Sequence, residues 1–303
     1  MKIFSIITTY NGEKWIEKNL DSLGRSGVKV YSIVIDNGSE DNTVRIIKEK
    51  FPECYLVENK ENLGFAQGNN IGIRYALSRG ADYVLLLNQD VKVDPLMVEA
   101  MLTCLEANPE YGFVSPLHLD YEGAGIDQLF LKYIGMNSRL ISDAILGRFE
   151  NIYEMTFTNA AAWLLTRRLL EDVGGFDPLF FVYGEDGDFC QRARFHGYKN
   201  GVVPRAVVYH WHMADRMDRP SGRHRCNWIY SWFIYKLKNP ERTFLRNLVS
   251  LIFAFFVELE RKLESLDFKG CIITFYCIVK IGTKIFTVRK HHDMCKTRGC
   301  HWL

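Results

Sequence analysis

The sequence lacks the features that mark several broad classes of protein. It contains no cysteine pair in a CxxC spacing, no internal repeat and no low-complexity segment. No stretch reaches the roughly 18 uncharged apolar residues that a membrane-spanning helix needs. No GxGxxG follows the first apolar run, which disfavours a dinucleotide-binding oxidoreductase. The 38 Lys and Arg residues nearly balance the 36 Asp and Glu residues, so the total charge gives no reason to expect nucleic acid as a partner.

What remains is an ordinary globular composition, with 303 residues of which 48% are hydrophobic. The eight cysteines are scattered, which in a chain of this length indicates reduced, mostly buried thiols. Met1 and Lys2 lead directly into a short apolar run without a signal-peptide pattern. We therefore expect a cytoplasmic protein with no secretory signal.

The first 90 residues alternate between apolar runs and segments with helical spacing of apolar residues. Uninterrupted apolar strands between amphipathic helices predict an α/β fold with a mostly parallel sheet covered by helices on both faces. The predicted strands are residues 3–9, 31–35, 55–57 and 83–87, and the predicted helices are residues 13–23, 43–51 and 66–79. Farther along, we expect an irregular, glycine-rich connection over residues 116–158, a helix over 167–173 and a strand over 202–209.

Polar clusters follow the predicted strands, at the edge where an open α/β sheet binds its ligand. They are Thr9-Tyr10-Asn11, Asp36-Asn37 and Asn88-Gln89-Asp90. A carboxylate at such a strand end can hold a divalent metal ion that neutralises a diphosphate. The alternative is that Asn and Asp only form the turn after the strand.

Two further features carry titratable groups. Three acidic side chains fall within four positions: Glu185, Asp186 and Asp188. Clustered carboxylates repel one another unless a ligand shares their charge or their pKa values separate, which favours a functional site over a solvated acidic loop. His210, at the end of the strand predicted over 202–209, is either a metal ligand or a packed core residue.

Together and in this order, these features resemble the inverting glycosyltransferases of family 2, which have the GT-A fold. The resemblance covers roughly residues 3–212, and some of its segments resemble bacterial rhamnosyltransferases. It is carried by IITTYNGEKWIEKNLDSL at 6–23, VIDNGSEDNT at 34–43, ENLGFAQGNNIGI at 61–73, DYVLLLNQDVKVDP at 82–95, the acidic segment 158–198 and VVYHW at 207–211.

The resemblance implies a role for each matching residue. Asp36 would bind the base of the nucleotide, helped by the turn of Thr9, Tyr10 and Asn11. Asp90 and His210 would hold Mg²⁺ or Mn²⁺. Asp186 would be the general base, with Glu185 beside it. Further contacts to the nucleotide sugar are implied for Asn37, Gly64, Asn69, Asn88 and Gln89.

The chain departs from the family pattern in two places. Asn88 stands at the first position of the DxD-type metal motif, which removes one negative charge and predicts weaker metal binding that depends on the donor diphosphate. Many relatives carry an Arg-Asn pair where this chain has Tyr230-Ser231-Trp232. Arginines upstream, at 216, 219, 223 and 225, either supply the missing positive charge or form a solvated basic loop.

The C-terminal part differs in character, and we divide the chain into a GT-A domain over residues 1–225 and a helical, aromatic extension over 226–303. From Lys236 onward it holds 13 Lys and Arg against 6 Asp and Glu. Its apolar stretches, 248–257 and 271–288, are too short or interrupted to cross a bilayer. They predict either a peripheral membrane contact or a helical subdomain packed on the catalytic domain or a second subunit. The His- and Cys-containing end should be frayed.

The resemblance thus predicts a metal-dependent, inverting glycosyltransferase of bacterial surface polysaccharide synthesis. The donor would be a dTDP- or UDP-sugar, with dTDP-rhamnose as one candidate, and the acceptor a saccharide, free or lipid-linked. The site would lie at the inner face of the cytoplasmic membrane. The alternatives are a UDP-hexose-dependent transferase and a non-catalytic protein that binds nucleotide sugars.

Overall fold

A computed structural model describes residues 1–211 and 222–303. Within those residues a single sheet of nine strands is flanked by helices. The strands are β1 (Ile3–Thr9), β2 (Val30–Asp36), β3 (Tyr55–Glu58), β4 (Tyr83–Asn88), β5 (Val91–Val93), β6 (Tyr111–Asp120), β7 (Tyr153–Met155), β8 (Ala162–Thr166) and β9 (Lys199–His210).

The described residues also form twelve helices. They are α1 (Ile16–Gly24), α2 (Thr43–Lys50), α3 (Gly64–Ser78), α4 (Met97–Ala107), α5 (Gln128–Ile134), α6 (Ser138–Ile145), α7 (Arg167–Val173), α8 (Glu185–Phe195), α9 (Gly222–Leu237), α10 (Phe244–Glu264), α11 (Phe268–Thr283) and α12 (Ile285–Met294).

The strands lie in the order β3-β2-β1-β4-β8-β6-β9-β5, with β7 paired to β9. The first four are parallel, as the alternation of apolar strands and amphipathic helices predicts. Beyond β4 the sheet is mixed, because β4 and β6 both pair antiparallel with β8. The α/β fold is confirmed, and parallel pairing recurs in the second half of the sheet between β6 and β9. The segment predicted as an irregular connection, 116–158, contains α5, α6 and β7.

Two apolar clusters cover the faces of the sheet. One joins β1 and β4 to α1 and α4 through residues such as Ile7, Leu20 and Met101. The other packs α3, α7 and α8 on the opposite face, around Trp163 and Phe189. Every residue of β1 except Thr8 is buried, so β1 is central to both layers. This fixes the ends of β1, β2 and β4 at one edge of the sheet.

Helices α9 to α12 have an apolar cluster of their own, built around Phe233, Leu237 and Cys277. Phe180, from the segment before α8, belongs to the same cluster and is fully buried. In the described residues, no single helix is long and apolar enough to span a membrane; α11 and α12, bent by 71°, pass that test of length and composition only as a pair. The boundary at residues 225 and 226 stays a prediction.

The C-terminal end is packed, so the expectation of a frayed tail was wrong. The amide of Gly175 donates a hydrogen bond of 2.9 Å to the carbonyl of His301, and Leu303 packs against the second apolar cluster. Gly174 has a φ of +80°, and a Cβ there would collide with the backbone of His301. Glycine at 174 therefore lets the tail approach the end of α7 closely.

A buried ionic network connects the extension to α8. The Lys238 ammonium, wholly buried just after α9, lies 2.7 Å from an Asp188 oxygen and forms a second ion pair with Asp177. The other Asp188 oxygen accepts a hydrogen bond of 2.8 Å from Arg192. His291, on α12, lies 2.8 Å from Asp177. Each buried charge in the network therefore has an opposite charge beside it.

The network sets the charge state of its members. Burial alone would raise the pKa of Asp177, but the Lys238 ammonium and His291 hold that pKa well below its usual range. Burial would likewise lower the pKa of Lys238, and the carboxylates of Asp177 and Asp188 raise it instead. Removing one partner leaves an uncompensated charge in the interior, which costs about 3–5 kcal/mol.

Lys238→Met should therefore lower the free energy of unfolding by about 3–5 kcal/mol, measured by urea denaturation. Lys236→Met, two residues earlier at the end of α9, is the matched control, because its ammonium lies 4.8 Å from the Trp232 ring and the contact is worth about 0.5–1 kcal/mol. Equal losses in the two variants would contradict the structural role of the network.

Candidate active site

Gln89 ties the ends of β1 and β4 together. Its side-chain oxygen accepts hydrogen bonds from the Thr9 hydroxyl at 2.5 Å and from the Tyr10 amide at 3.0 Å. Thr9 also pairs in register with Asp36 at the end of β2. Thr9, Tyr10, Gln89 and Asp36, which the sequence assigns to the nucleotide, therefore lie together at the carboxyl edge of the sheet.

The turn after β2 is held by its own aspartate. The Asp36 carboxylate is almost fully buried and accepts hydrogen bonds from the amides of Gly38 and Ser39 at 3.1 and 3.0 Å. Asn11 completes the turn, since its amide donates to the Ser39 hydroxyl and its side-chain oxygen accepts from the Glu40 amide. Asp36 thus shapes the loop that faces the predicted nucleotide position.

Asn37, Gly64 and Asn69 connect this edge to α3. The Asn37 side chain donates a hydrogen bond of 3.2 Å to the Gly64 carbonyl. Gly64 has a φ of +79°, and a Cβ there would collide with the carbonyl of Phe181. The Asn69 side chain is buried and donates to the Phe65 carbonyl at 3.0 Å. Asn37 therefore joins this edge to the start of α3, and Gly64 lets α3 lie against the segment that precedes the acidic cluster. The Asn69 bond lies within α3.

Asp90 and His210 meet at the ends of neighbouring strands. Val91 pairs in register with His210, and the Asp90 carboxylate lies 3.5 Å from the imidazole Nε2 of His210. Asn88 lines the same cavity as both residues. A carboxylate oxygen and an imidazole nitrogen at this separation fit two adjacent ligands of one divalent ion, whose ligand distances are about 2.0–2.2 Å.

The protein supplies only part of such a coordination sphere. In residues 1–211 and 222–303, no three His, Cys, Asp or Glu side chains are grouped so as to hold a metal ion. Mg²⁺ in particular binds through one or two carboxylates together with substrate phosphates. Asp90 and His210 therefore fit an ion that arrives with, or is completed by, a diphosphate.

The acidic cluster begins a helix and does not form a solvated loop. Tyr183 and Gly184 both have left-handed backbone conformations, with φ of 71° and 83°, and α8 starts at Glu185. Acidic side chains in the first turn of a helix are favoured by the positive end of its dipole. The three acids nevertheless have different environments, because Asp188 is ion-paired within the buried ionic network.

Burial raises the pKa values of the two remaining acids. Desolvation, reinforced by the charge of Asp186, raises the pKa of Glu185 above the neutral range. Desolvation raises the pKa of Asp186 by less, to about 6, because the backbone amide of Gly187 stabilises its charged form. Among the described residues, none forms a hydrogen bond to Glu185 Oε2. At pH 7 Glu185 therefore retains its proton while Asp186 is mostly ionised.

A cavity of about 820 Å³ joins the acid pair to the strand-end pair. Its wall includes Asn88, Asp90, Glu185, Asp186 and His210. In the sequence Asp90 precedes Glu185 by 95 positions and His210 follows Asp186 by 24, and the fold brings them to one space. The residues on β1 and β2 that the family resemblance assigns to the nucleotide stand outside this wall, at the adjoining edge of the sheet.

A smaller cavity of about 370 Å³ adjoins the larger one at the acid pair and is lined by aromatic rings. Tyr133, Phe157, Trp228, Trp232 and Tyr235 contribute to it, together with Glu185 and Asp186. The rings of Trp228 and Trp232 are stacked, with an interplanar angle of 4°. Flat apolar rings beside carboxylates are suited to a ligand with both apolar faces and hydroxyl groups.

Sequence reasoning missed several residues of the two cavities. Tyr133, whose pKa burial and the nearby charge of Asp186 raise to about 12, comes from α5 in the segment predicted as irregular. Lys262 lines the larger cavity and is ion-paired with Asp267. Arg225, which belongs to the predicted basic cluster, lines the same cavity and pairs with the same carboxylate. Arg216, Arg219 and the side chain of Arg223 lie outside the described residues.

The buried proton of Glu185 makes stability depend on pH. The unfolded state loses this proton near pH 4.5, whereas the folded state keeps it to about 8, so the free energy of unfolding should fall as pH rises through this window. Glu185→Gln removes the titration. The variant should therefore gain stability relative to wild type between pH 5 and 8, measured by urea denaturation at several pH values. Glu260→Gln, on the exposed side of α10, is the control. A difference between Glu185→Gln and wild type that stays constant with pH would contradict the buried proton.

Comparisons with known proteins agree with this arrangement. The sequence profile described as glycosyl transferase family 2 matches residues 5–174, more than half of the chain. The chain is 28% identical over 196 residues to the low-salt glycan biosynthesis hexosyltransferase Agl10 of Haloferax volcanii, a match that spans 62% of this chain and 60% of that relative. It is 26% identical over 255 residues to N-acetylglucosaminyl-diphospho-decaprenol L-rhamnosyltransferase of Mycobacterium tuberculosis, spanning 76% of this chain and 82% of the relative.

The fold is similar to that of solved glycosyltransferases. The mannosyltransferase PcManGT of Pyrobaculum calidifontis, solved with GDP-Man and Mn²⁺, aligns with 97% of this chain and 84% of its own, at a TM-score of 0.59 and 16% identity. At that identity the likeness establishes the GT-A fold alone. The profile match and the relatives establish more: the chain is a glycosyltransferase and belongs to glycosyl transferase family 2, with rhamnosyl- and hexosyltransferases among its relatives.

Proposed function

We propose that this glycosyltransferase moves a sugar from a dTDP- or UDP-sugar to a saccharide acceptor, with inversion, in the synthesis of a bacterial surface polysaccharide. The reaction would take place at the inner face of the cytoplasmic membrane. One observation carries the proposal: a single cavity is lined by a carboxylate–imidazole pair at Asp90 and His210 and by a carboxyl pair at Glu185 and Asp186. Sugar transfer needs both, one to receive a diphosphate and the other to receive a proton.

Asp90 and His210 would hold the divalent metal. When bound, Mg²⁺ or Mn²⁺ neutralises the diphosphate and so makes it a better leaving group. Asn88 would add a neutral amide beside them, which agrees with an ion that needs the donor's own oxygens. The edge formed by Thr9, Asp36 and Gln89 adjoins this end of the cavity and is the proposed position of the nucleotide.

Asp186 would be the general base. A sugar hydroxyl is a poor nucleophile near neutral pH, and a carboxylate within hydrogen-bond reach can take its proton as the new bond forms. Asp186 is mostly ionised at pH 7, whereas Glu185 keeps its proton and can only donate. A single base suits direct displacement, which inverts the anomeric carbon and needs no covalent intermediate.

The aromatic cavity is the proposed position of the acceptor. Glu185 and Asp186 line both this cavity and the larger one, so the base would face acceptor and donor alike. The rings of Trp228 and Trp232 offer flat surfaces to the apolar faces of sugars. The name of the mycobacterial relative describes an acceptor linked to decaprenol through diphosphate, which supports a lipid-linked saccharide as the acceptor of this chain.

Asp186→Asn should reduce turnover by roughly 10²–10⁴-fold, because it preserves shape and removes basicity. Donor affinity, measured by calorimetry, should hardly change. Wild-type turnover, measured as release of nucleoside diphosphate with each candidate donor, should fall as pH drops through about 6. If Glu185→Gln abolishes turnover and Asp186→Asn does not, the base is Glu185. If neither variant changes turnover, the proposed mechanism is wrong.

Asp90→Ala and His210→Ala should each weaken Mn²⁺ binding in the presence of a nucleoside diphosphate by at least about tenfold, the range seen for groups that support metal sites. Free Mn²⁺ can be measured directly by electron paramagnetic resonance, without turnover. Asp82→Ala, just before the start of β4, is the matched control and should bind like wild type. Unchanged binding in both site variants would place the metal elsewhere.

A further inference from the structure

The outward face of α10 is more apolar than the face that packs inward. Its buried positions are Asn247, Leu251, Ala254 and Glu258. Its exposed positions include Leu245, Val249, Ile252, Phe253, Phe256 and Val257. A helix on the surface of a water-soluble domain ordinarily has the reverse distribution. Helix α10 is therefore built to meet an apolar surface on both sides.

Helix α11 continues this surface. Its exposed side chains include Phe268, Ile272, Phe275, Tyr276 and Val279, each more than half exposed. The two helices meet at Phe255, whose ring lies 5.2 Å from that of Phe256 and 5.1 Å from that of Phe275. We call the outward sides of α10 and α11, together with Phe286 at the start of α12, the apolar face.

The apolar face is too extensive for chance exposure. Fourteen large apolar side chains between Leu245 and Phe286 are 45% or more exposed. Apolar residues scattered singly on a surface are normal, but contiguous patches larger than a few hundred Å² mark contacts with proteins or membranes. The face therefore has a partner whose surface is apolar.

Charge distinguishes between the candidate partners. From Phe268 to His292 the chain has five Lys and Arg residues and no Asp or Glu. Lys269, Lys284, Arg289 and Lys290 are exposed. A second copy docked through this stretch would bring like charges together with no acid to pair them, which is unfavourable. Exposed acids occur at the end of α10, as Glu260 and Glu264. Anionic lipid headgroups above an acyl layer match both the positive charge and the apolar surface.

We propose that the apolar face docks on an anionic bilayer, with its Phe, Leu, Ile and Val side chains in the boundary between headgroups and acyl chains. The exposed Lys and Arg side chains of α11 and α12 would contact the headgroups, whose negative charge attracts them near the surface. The helices would lie in the plane of the interface, as amphipathic anchors of peripheral enzymes do.

Docking would bring the larger cavity to the membrane. Lys262 lines that cavity, and the exposed Leu263, Leu266 and Phe268 follow it within six residues. A saccharide carried on a lipid would then reach Asp186 while its lipid stays in the bilayer. This consequence rests on the proposed function, whereas the docking itself does not.

Sedimentation with lipid vesicles tests the docking. The full chain, with no donor present, should sediment with vesicles of equal parts phosphatidylglycerol and phosphatidylcholine, more weakly with phosphatidylcholine alone. Binding should weaken in about 1 M salt, where the Debye length falls to about 3 Å. The double variant Phe253→Ser, Phe256→Ser should lose at least about tenfold in vesicle affinity, since it removes two large apolar side chains from the membrane contact. Met136→Ser, Ile145→Ser removes two side chains that are at least 80% exposed outside the face and should bind like wild type.

Three outcomes would overturn the proposal. The wild type could ignore anionic vesicles at low salt, or the two double variants could bind equally well. The face variant could also turn a dimer into a monomer, by light scattering, without changing vesicle affinity; the face would then belong to a second copy. Thermal melts by circular dichroism show that each variant is folded. A chain that binds vesicles but releases no nucleotide from any donor would refute the proposed function and keep the docking face.

Discussion

The ion pairs of Lys238 constrain both halves of the molecule at once. The ammonium comes from the extension, and its two carboxylate partners flank the start of α8, at Asp177 and Asp188. Asp188 lies two residues after Asp186, so the group that fixes α8 is next to the proposed base. Buried ion pairs contribute little net stability compared with apolar packing, but losing one partner is costly. The extension is therefore part of the active site's framework, whatever it binds on its outer side.

Burial not only makes the ionic network necessary but also raises the pKa values of the acid pair. One turn of α8 holds three carboxyl groups, and each meets a different environment. Asp188 has cationic partners, Asp186 has the amide of Gly187, and Glu185 has an oxygen without a hydrogen-bond partner among the described residues. The pKa values of Glu185 and Asp186 differ for that reason. A base and a proton-holding acid then stand side by side in the wall that the two cavities share.

The first half of the fold could be predicted because its signal is local. Apolar strands between amphipathic helices specify a parallel sheet, and a parallel sheet brings Thr9, Asp36 and Asn88 to one edge. The second half could not, because β8 enters antiparallel between β4 and β6, and no short pattern in 162–166 encodes that neighbour. The domain boundary, the site roles and the cytoplasmic location stay predictions.

The residues that sequence reasoning missed share one property: their structural roles depend on partners that are far away in the sequence. Lys238 looks like one of many basic residues in the tail, and only the fold places it between two buried carboxylates. Tyr133 and Trp228 reach the acid pair from segments about 50 positions before it and 40 after it. The tail was predicted to fray because its own sequence does not indicate a contact with Gly174, whose missing side chain makes room for His301.

The central claim is that Asp90 with His210, and Asp186 with Glu185, face one space in which donor and acceptor meet. The most direct test is a crystal of the full chain grown with Mn²⁺ and the donor that the protein hydrolyses, measured at a wavelength where manganese scatters anomalously. The account predicts an anomalous peak in contact with Asp90 and His210, with the diphosphate on it and the sugar on the side of Asp186. A peak or a nucleotide outside this cavity would contradict it.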